Sequence, residues 1–206
     1  MDRFIESNRQ ALAIAVNAVD KFPWKNKEAY AKWLTQTFHY ASQTISLLSL
    51  MVARTNIKDD PELHYSRVQH LKEEIGHEEW VRKDLSALGF NLEDFPELSA
   101  TRWLWVPQFY YCDRSVEQVY GYTILLEQLA VERGAIVASK IKDLAGGKRC
   151  DRFLTGHDEA DVKHVERDLQ KIAKFQSVNQ EALITNMFDT AKAYELMLSD
   201  IVRSLS

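Results

Sequence analysis

Within TGHDEADVKHVERDL (155–169), His157, Asp161 and His164 are separated by four and three positions. On a helix turning about 100° per residue such steps return to one side, so the three side chains project within roughly 60° of each other. Val162, Val165, Leu169 and Ile172 fall on the adjoining arc, which puts the trio at the edge of a buried face. A carboxylate and two imidazoles leaving water together need a partner, and a divalent cation is the one that uses all three. The plainer alternative is a polar edge on which Asp161 pairs with the histidines.

A metal centre needs ligands from other helices, and HLKEEIGHEEW (70–80) offers an E-x-x-H pair, Glu74 and His77. Both lie beside an apolar arc of Val68, Leu71, Ile75, Val81 and Leu85, His70 falls on the side of His77, and Glu73 points away. Glu78 falls near the centre of that arc, where a carboxylate also needs a partner. In VEQVYGYTILLEQLAVERGAIVASKI (116–141), Glu127 shares a face with Tyr120, Thr123, Ile124, Val131 and Ala138, flanked by Ala130 and Gly134. Glu132 projects about 140° away and reaches solvent. The candidate ligands are therefore Glu74, His77, Glu127, His157, Asp161 and His164, three carboxylates and three imidazoles, a set suited to two irons. Mixed oxygen and nitrogen donors favour iron or manganese over calcium, and the lack of thiolate argues against structural zinc.

The elements that must hold these groups read as helices. The apolar period is 3.6 nearly throughout, with seven glycines and four prolines in 206 residues, which indicates an all-α chain forming a single domain over 1–206. Helices are expected over about 3–19, 27–53, 61–88 and 115–144, with a short aromatic helix between the last two broken near Pro107. Thr155 and Asp158 resemble a capping box that starts the trio's helix, which runs to about 174, and a last helix covers about 179–205. The charged repeats VRKDL and ERDLQK read as solvated faces.

A net charge of −4 and interspersed charges exclude a nucleic-acid binder held by phosphate neutralisation. No apolar run approaches a membrane span and the N-terminus lacks a signal-peptide layout, so a cytoplasmic protein is expected. Cys112 and Cys150 show no CxxC spacing and read as reduced thiols.

Three segments, EEIGHEEWVRKDLSALGF, YTILLEQLAVERG and above all FLTGHDEADVKHVERDL with its H-x3-D-x2-H element, resemble the heme-oxygenase-like di-iron oxidases. That family shares its fold with heme oxygenase, the thiaminase-like proteins and the pyrroloquinoline quinone synthase. The resemblance covers most of the chain and implies a bundle of about seven helices, often a homodimer. It implies two irons held by Glu74, His77, Glu127, His157, Asp161 and His164, with Glu127 and Asp161 as catalytic carboxylates and Asp161 a ligand only in some states. The family's first carboxylate varies in position, so Glu78 or His70 could stand in for Glu74.

The implied activity is dioxygen activation, fed by an external reductant, on a small carboxylate, more amino-acid-derived than fatty. N-oxygenation, oxidative C–C cleavage, fatty-acid decarboxylation and para-aminobenzoate formation from the protein's own tyrosine all occur in the family. Tyr120, Thr123, Gly134 and Phe153, with Trp103 or Tyr110, are the candidate substrate lining, against ordinary core packing for each. The competing readings are a metal-free thiaminase-like hydrolase with Cys112 as nucleophile, a cofactorless oxidase, and a non-catalytic helical binding protein.

Overall fold

Among the described residues the chain forms nine α-helical segments and one 3-10 turn, with no strand: α1 Asp2–Lys21, α2 Lys27–Ala53, α3 Pro61–Glu73, α4 His77–Leu88, the turn Leu92–Asp94, α5 Ser99–Arg114, α6 Val116–Ile141, α7 Arg152–Thr155, α8 Asp158–Ile172 and α9 Ser177–Arg203. This computed structural model describes residues 2–205 except 157, 174 and 176, and for 2, 158–164, 177 and 178 the backbone alone.

Local chemistry sets the boundaries. Asn26 Oδ1 accepts from the Ala29 amide at 3.0 Å and starts α2, and Asp60 does the same for Leu63 at 2.9 Å, with Pro61 in the first turn of α3. Gly89, at φ 83°, ends α4, and the Phe90 amide reaches back to the Leu85 carbonyl at 3.0 Å.

Three differences from the expected helices bear on the site. The third helix is two: Glu74, Ile75 and Gly76 interrupt it, Gly76 at φ 92°, and Ile75 is 67% exposed rather than in the core. Residues 99–114 form one helix through Pro107, because the carbonyl that proline leaves unbonded belongs to exposed Trp103, where water can satisfy it. Thr155 closes the single turn α7, its hydroxyl donating to the Asp151 carbonyl at 2.9 Å, instead of capping α8.

The core is one cluster in which α6 packs on α9, α8 and α1, while α2 gathers α3, α4 and α5. At Gly121 α6 meets α9 so closely that a Cβ would stand 2.3 Å from the Leu183 carbonyl oxygen. No helix among the described residues is long and apolar enough to cross a membrane.

Candidate metal centre

The break after α3 shapes the site. On an unbroken helix seven residues span about 10.5 Å, which would hold His70 and His77 apart. With the chain turned at Gly76, both rings face one carboxylate: His70 Nε2 lies 3.6 Å from Glu74 Oε1, and His77 Nδ1–H donates to Glu74 Oε2 at 2.9 Å. Glu127, from the middle of α6, brings Oε1 to 3.3 Å from His70 Nε2. These four side chains are only 8–13% exposed. Burial pushes the Glu74 carboxyl up, but the His70 and His77 rings outweigh it and hold Glu74 below the ordinary carboxylate range.

Glu74, His77 and Glu127 are thus brought together, and His70 joins them between Glu74 and Glu127. Glu78 sits half-buried in the first turn of α4, where the helix dipole favours a carboxylate. Glu132 is exposed and neighbours Arg133, and Glu73 leans towards α8 to meet Arg167 at 3.4 Å. His157, and the side chains of Asp161 and His164, lie outside the described residues.

One residue of the cluster escaped sequence reasoning. Asp168 is fully buried, and one donor atom each from His70, Glu127 and Asp168 lie within 4.8 Å of one another. It continues the stripe His157, Asp161, His164 by another step of four, which is the pattern that could have found it. ERDLQK read as a solvated face, and so did VRKDL, yet Asp84 is also fully buried, accepting from Arg152 Nη1 and from the Phe153 amide, both at 3.0 Å. In each repeat a buried aspartate is compensated by a basic partner.

Trp80 supports the cluster. Its ring stacks on His77 at 4.3 Å, and a Cβ on Gly156 would stand 2.4 Å from Trp80 Cζ3. The residue before His157 therefore packs directly on the side chain that fixes His77.

The site opens on a cavity of about 150 Å³. Trp24, Trp33 and Tyr40 form one wall, Tyr122, Thr123, Leu126 and Gly134 of α6 another, and Phe153 and Leu154 of α7 a third. Burial keeps three lining phenols neutral: Tyr40 is pushed up to about 12, and Tyr122 and Tyr194 are also raised. Of the expected lining, Thr123, Gly134 and Phe153 are present. Tyr120 is not, because its ring packs on Phe175 and its hydroxyl accepts from Arg67 Nε at 3.2 Å. Trp103 and Tyr110 are on the surface. Burial pushes the Cys112 and Cys150 thiols up, the opposite of what a nucleophilic cysteine needs.

The donor set suits iron. It mixes imidazole with carboxylate and contains no thiolate, and Asp168 Oδ2 is a buried oxygen without a hydrogen-bond partner among the described residues. Donors about 2.1 Å from one ion lie at most about 4.2 Å apart, so small side-chain movements would let a cation take His70, Glu127 and Asp168.

The architecture is that of the heme-oxygenase-like bundles. It is similar to a Shewanella denitrificans domain of unknown function with a heme oxygenase-like fold (TM-score 0.81, 20% identity, 96% of this chain and 90% of that one). A TenA homolog from Pseudomonas syringae pv. tomato (TM-score 0.79, 14% identity, 98% and 92%) and a CADD-like protein of unknown function from Nostoc punctiforme (TM-score 0.74, 14% identity, 99% of each) are built alike. No curated protein matches the chain in sequence. The model of the iron-containing redox enzymes matches residues 31–197, and the protein belongs to that family.

Proposed function

We propose that the protein is a non-heme di-iron oxidase or oxygenase that uses dioxygen and an external reductant to oxidise a small carboxylate. An amino-acid-derived substrate, N-oxygenated or cleaved at a C–C bond in natural-product or cofactor biosynthesis, fits this reading. The observation that carries it is the convergence of His70, Glu74, His77 and Glu127 on the wall of a largely apolar cavity inside an iron-family bundle. Glu74, His77 and Glu127 would hold the metals together with His157 and with Asp161 and His164 from the α8 sequence, and His70 stands where it can join them. Two ferrous ions held there supply electrons and coordination positions for dioxygen.

The chain's own groups do the rest. Glu74 is kept ionised and ready to coordinate, and the proton on His77 Nδ1 is the one a metal would displace or leave as a bond to Glu74 Oε2. Trp24, Trp33 and Phe153 exclude water. An apolar cavity of about 150 Å³ accepts a benzene-sized group, which suits a ring or a short aliphatic chain. Arg133, on the cavity wall and bonded to Asp20 at 2.9 Å, offers a cation to a substrate carboxylate.

Anaerobic Fe(II) loading followed by stopped-flow mixing with dioxygen tests this. The expected result is a transient visible absorbance that a true substrate shortens and that His157→Ala lacks. A protein that takes up no iron and consumes no dioxygen contradicts it. A second reading, consumption of one of the chain's own tyrosines, is favoured by Tyr40, Tyr122 and Tyr194 lining the cavity. A loss of mass from one of those side chains after turnover would select it.

A further inference from the structure

From the buried contacts of α8, we infer that Asp168 is itself a metal ligand, forming with His70 and Glu127 one of the two metal subsites of the centre. The inference rests on the di-iron reading above and adds a residue to it. Asp168 is fully buried. Its Oδ1 accepts from Lys171 Nζ at 2.8 Å, which accounts for one oxygen. Its Oδ2 is buried with no hydrogen-bond partner among the described residues. A carboxylate oxygen in that state costs about 1–3 kcal/mol or more unless something positive completes it.

Asp168 also supplies one of the three donor atoms lying within 4.8 Å of one another, the others coming from α3 and α6. A carboxylate present only to hold Lys171 would have no reason to converge with an imidazole and a second carboxylate from two other helices. Arg167, its chain neighbour, turns Nη1 to Glu73 at 3.4 Å, and its Nε and Nη2 make no hydrogen bond to Asp168 among the described residues. His70 and Glu127 therefore mark one end of the centre with Asp168, while Glu74 and His77 mark the other, joined by the 3.6 Å approach of His70 to Glu74.

The test is anaerobic Fe(II) titration with measured iron content, and the rise in Tm on loading, for wild type, Asp168→Asn and Asp168→Ala/Lys171→Met. The double variant removes the lysine that the single change would strand, so that loss of fold is not mistaken for loss of metal. The expected result is two irons per wild-type chain and one per variant chain, with the other binding step weakened more than about 100-fold. That exceeds the 10–100-fold typical of losing a group that only supports a ligand. Two irons in folded variants, or weakening below 100-fold, overturns the role of Asp168 and leaves the di-iron reading standing. A wild type that binds fewer than two irons overturns that reading, and the inference with it.

Discussion

Helix α6 is used in two opposite ways along its length. At Gly121 it lies backbone to backbone against α9, where an added Cβ would meet the Leu183 oxygen at 2.3 Å and the Met187 nitrogen at 2.8 Å. Further along, from Thr123 to Gly134, the same helix walls a cavity, and a Cβ on Gly134 would meet only the Leu154 oxygen, at 3.2 Å. One glycine removes a side chain so that two helices can touch; the other borders space beside Glu127. The first region is selected for closeness and the second for room, so substitutions should separate stability from function along one helix.

The largest effect belongs to the packed region. Gly121→Ala would press on two backbone atoms of α9 with no flexible neighbour to yield, so it should cost about 3 kcal/mol or more and lower Tm by roughly 6–12 °C in a thermal melt. Gly156→Ala meets the Arg152 carbonyl oxygen at 2.8 Å as well as Trp80, so it should shift the turn at α7 and push Trp80 from its stack on His77, weakening Fe(II) binding about 10- to 100-fold in a titration. An unchanged iron affinity would show that Trp80 does not fix His77.

Asp84→Asn comes next, because Asp84 ties α4 to the turn that carries Phe153 and Leu154 into the cavity wall. It should cost about 1–2 kcal/mol in urea unfolding near neutral pH. Burial pushes the Asp84 carboxyl above its ordinary value of 3.8, so folding disfavours its ionised form. Wild type should therefore gain stability relative to the variant as pH falls through that raised value towards 3.8.

Gly134→Ala should change stability by less than about 1 kcal/mol, since better helix propensity offsets a tight contact, and show itself as a raised KM with iron content unchanged. Smallest of all, Glu73→Ala and Glu132→Gln should leave iron content intact and shift stability by under about 0.5 kcal/mol.

Much of this was legible from periodicity. The limits of α2, and the inward face of Glu127 against the outward one of Glu132, both follow from a 3.6 repeat over a long uninterrupted helix. The break at Gly76 was not, because Val68, Leu71, Val81 and Leu85 fit one continuous face and a lone glycine inside such a pattern is a weak signal. That miss concealed how His70 and His77 reach the same carboxylate. Asp84 and Asp168 were hidden for another reason: a charged residue is normally exposed, and the partners that permit burial, Arg152 for Asp84 and Lys171 for one oxygen of Asp168, show themselves only once the helices are packed. Tyr120 has the right helical phase for the cavity, but Arg67 and Phe175 claim it from the other side.

The proposed function requires this bundle to hold two metal ions between α3, α4, α6 and α8. Anomalous scattering at the iron edge from crystals loaded anaerobically with Fe(II) tests it most directly. Two peaks are expected, one within coordination distance of His70, Glu127 and Asp168 and the other of Glu74 and His77. A single peak, or iron bound away from these side chains, would contradict it.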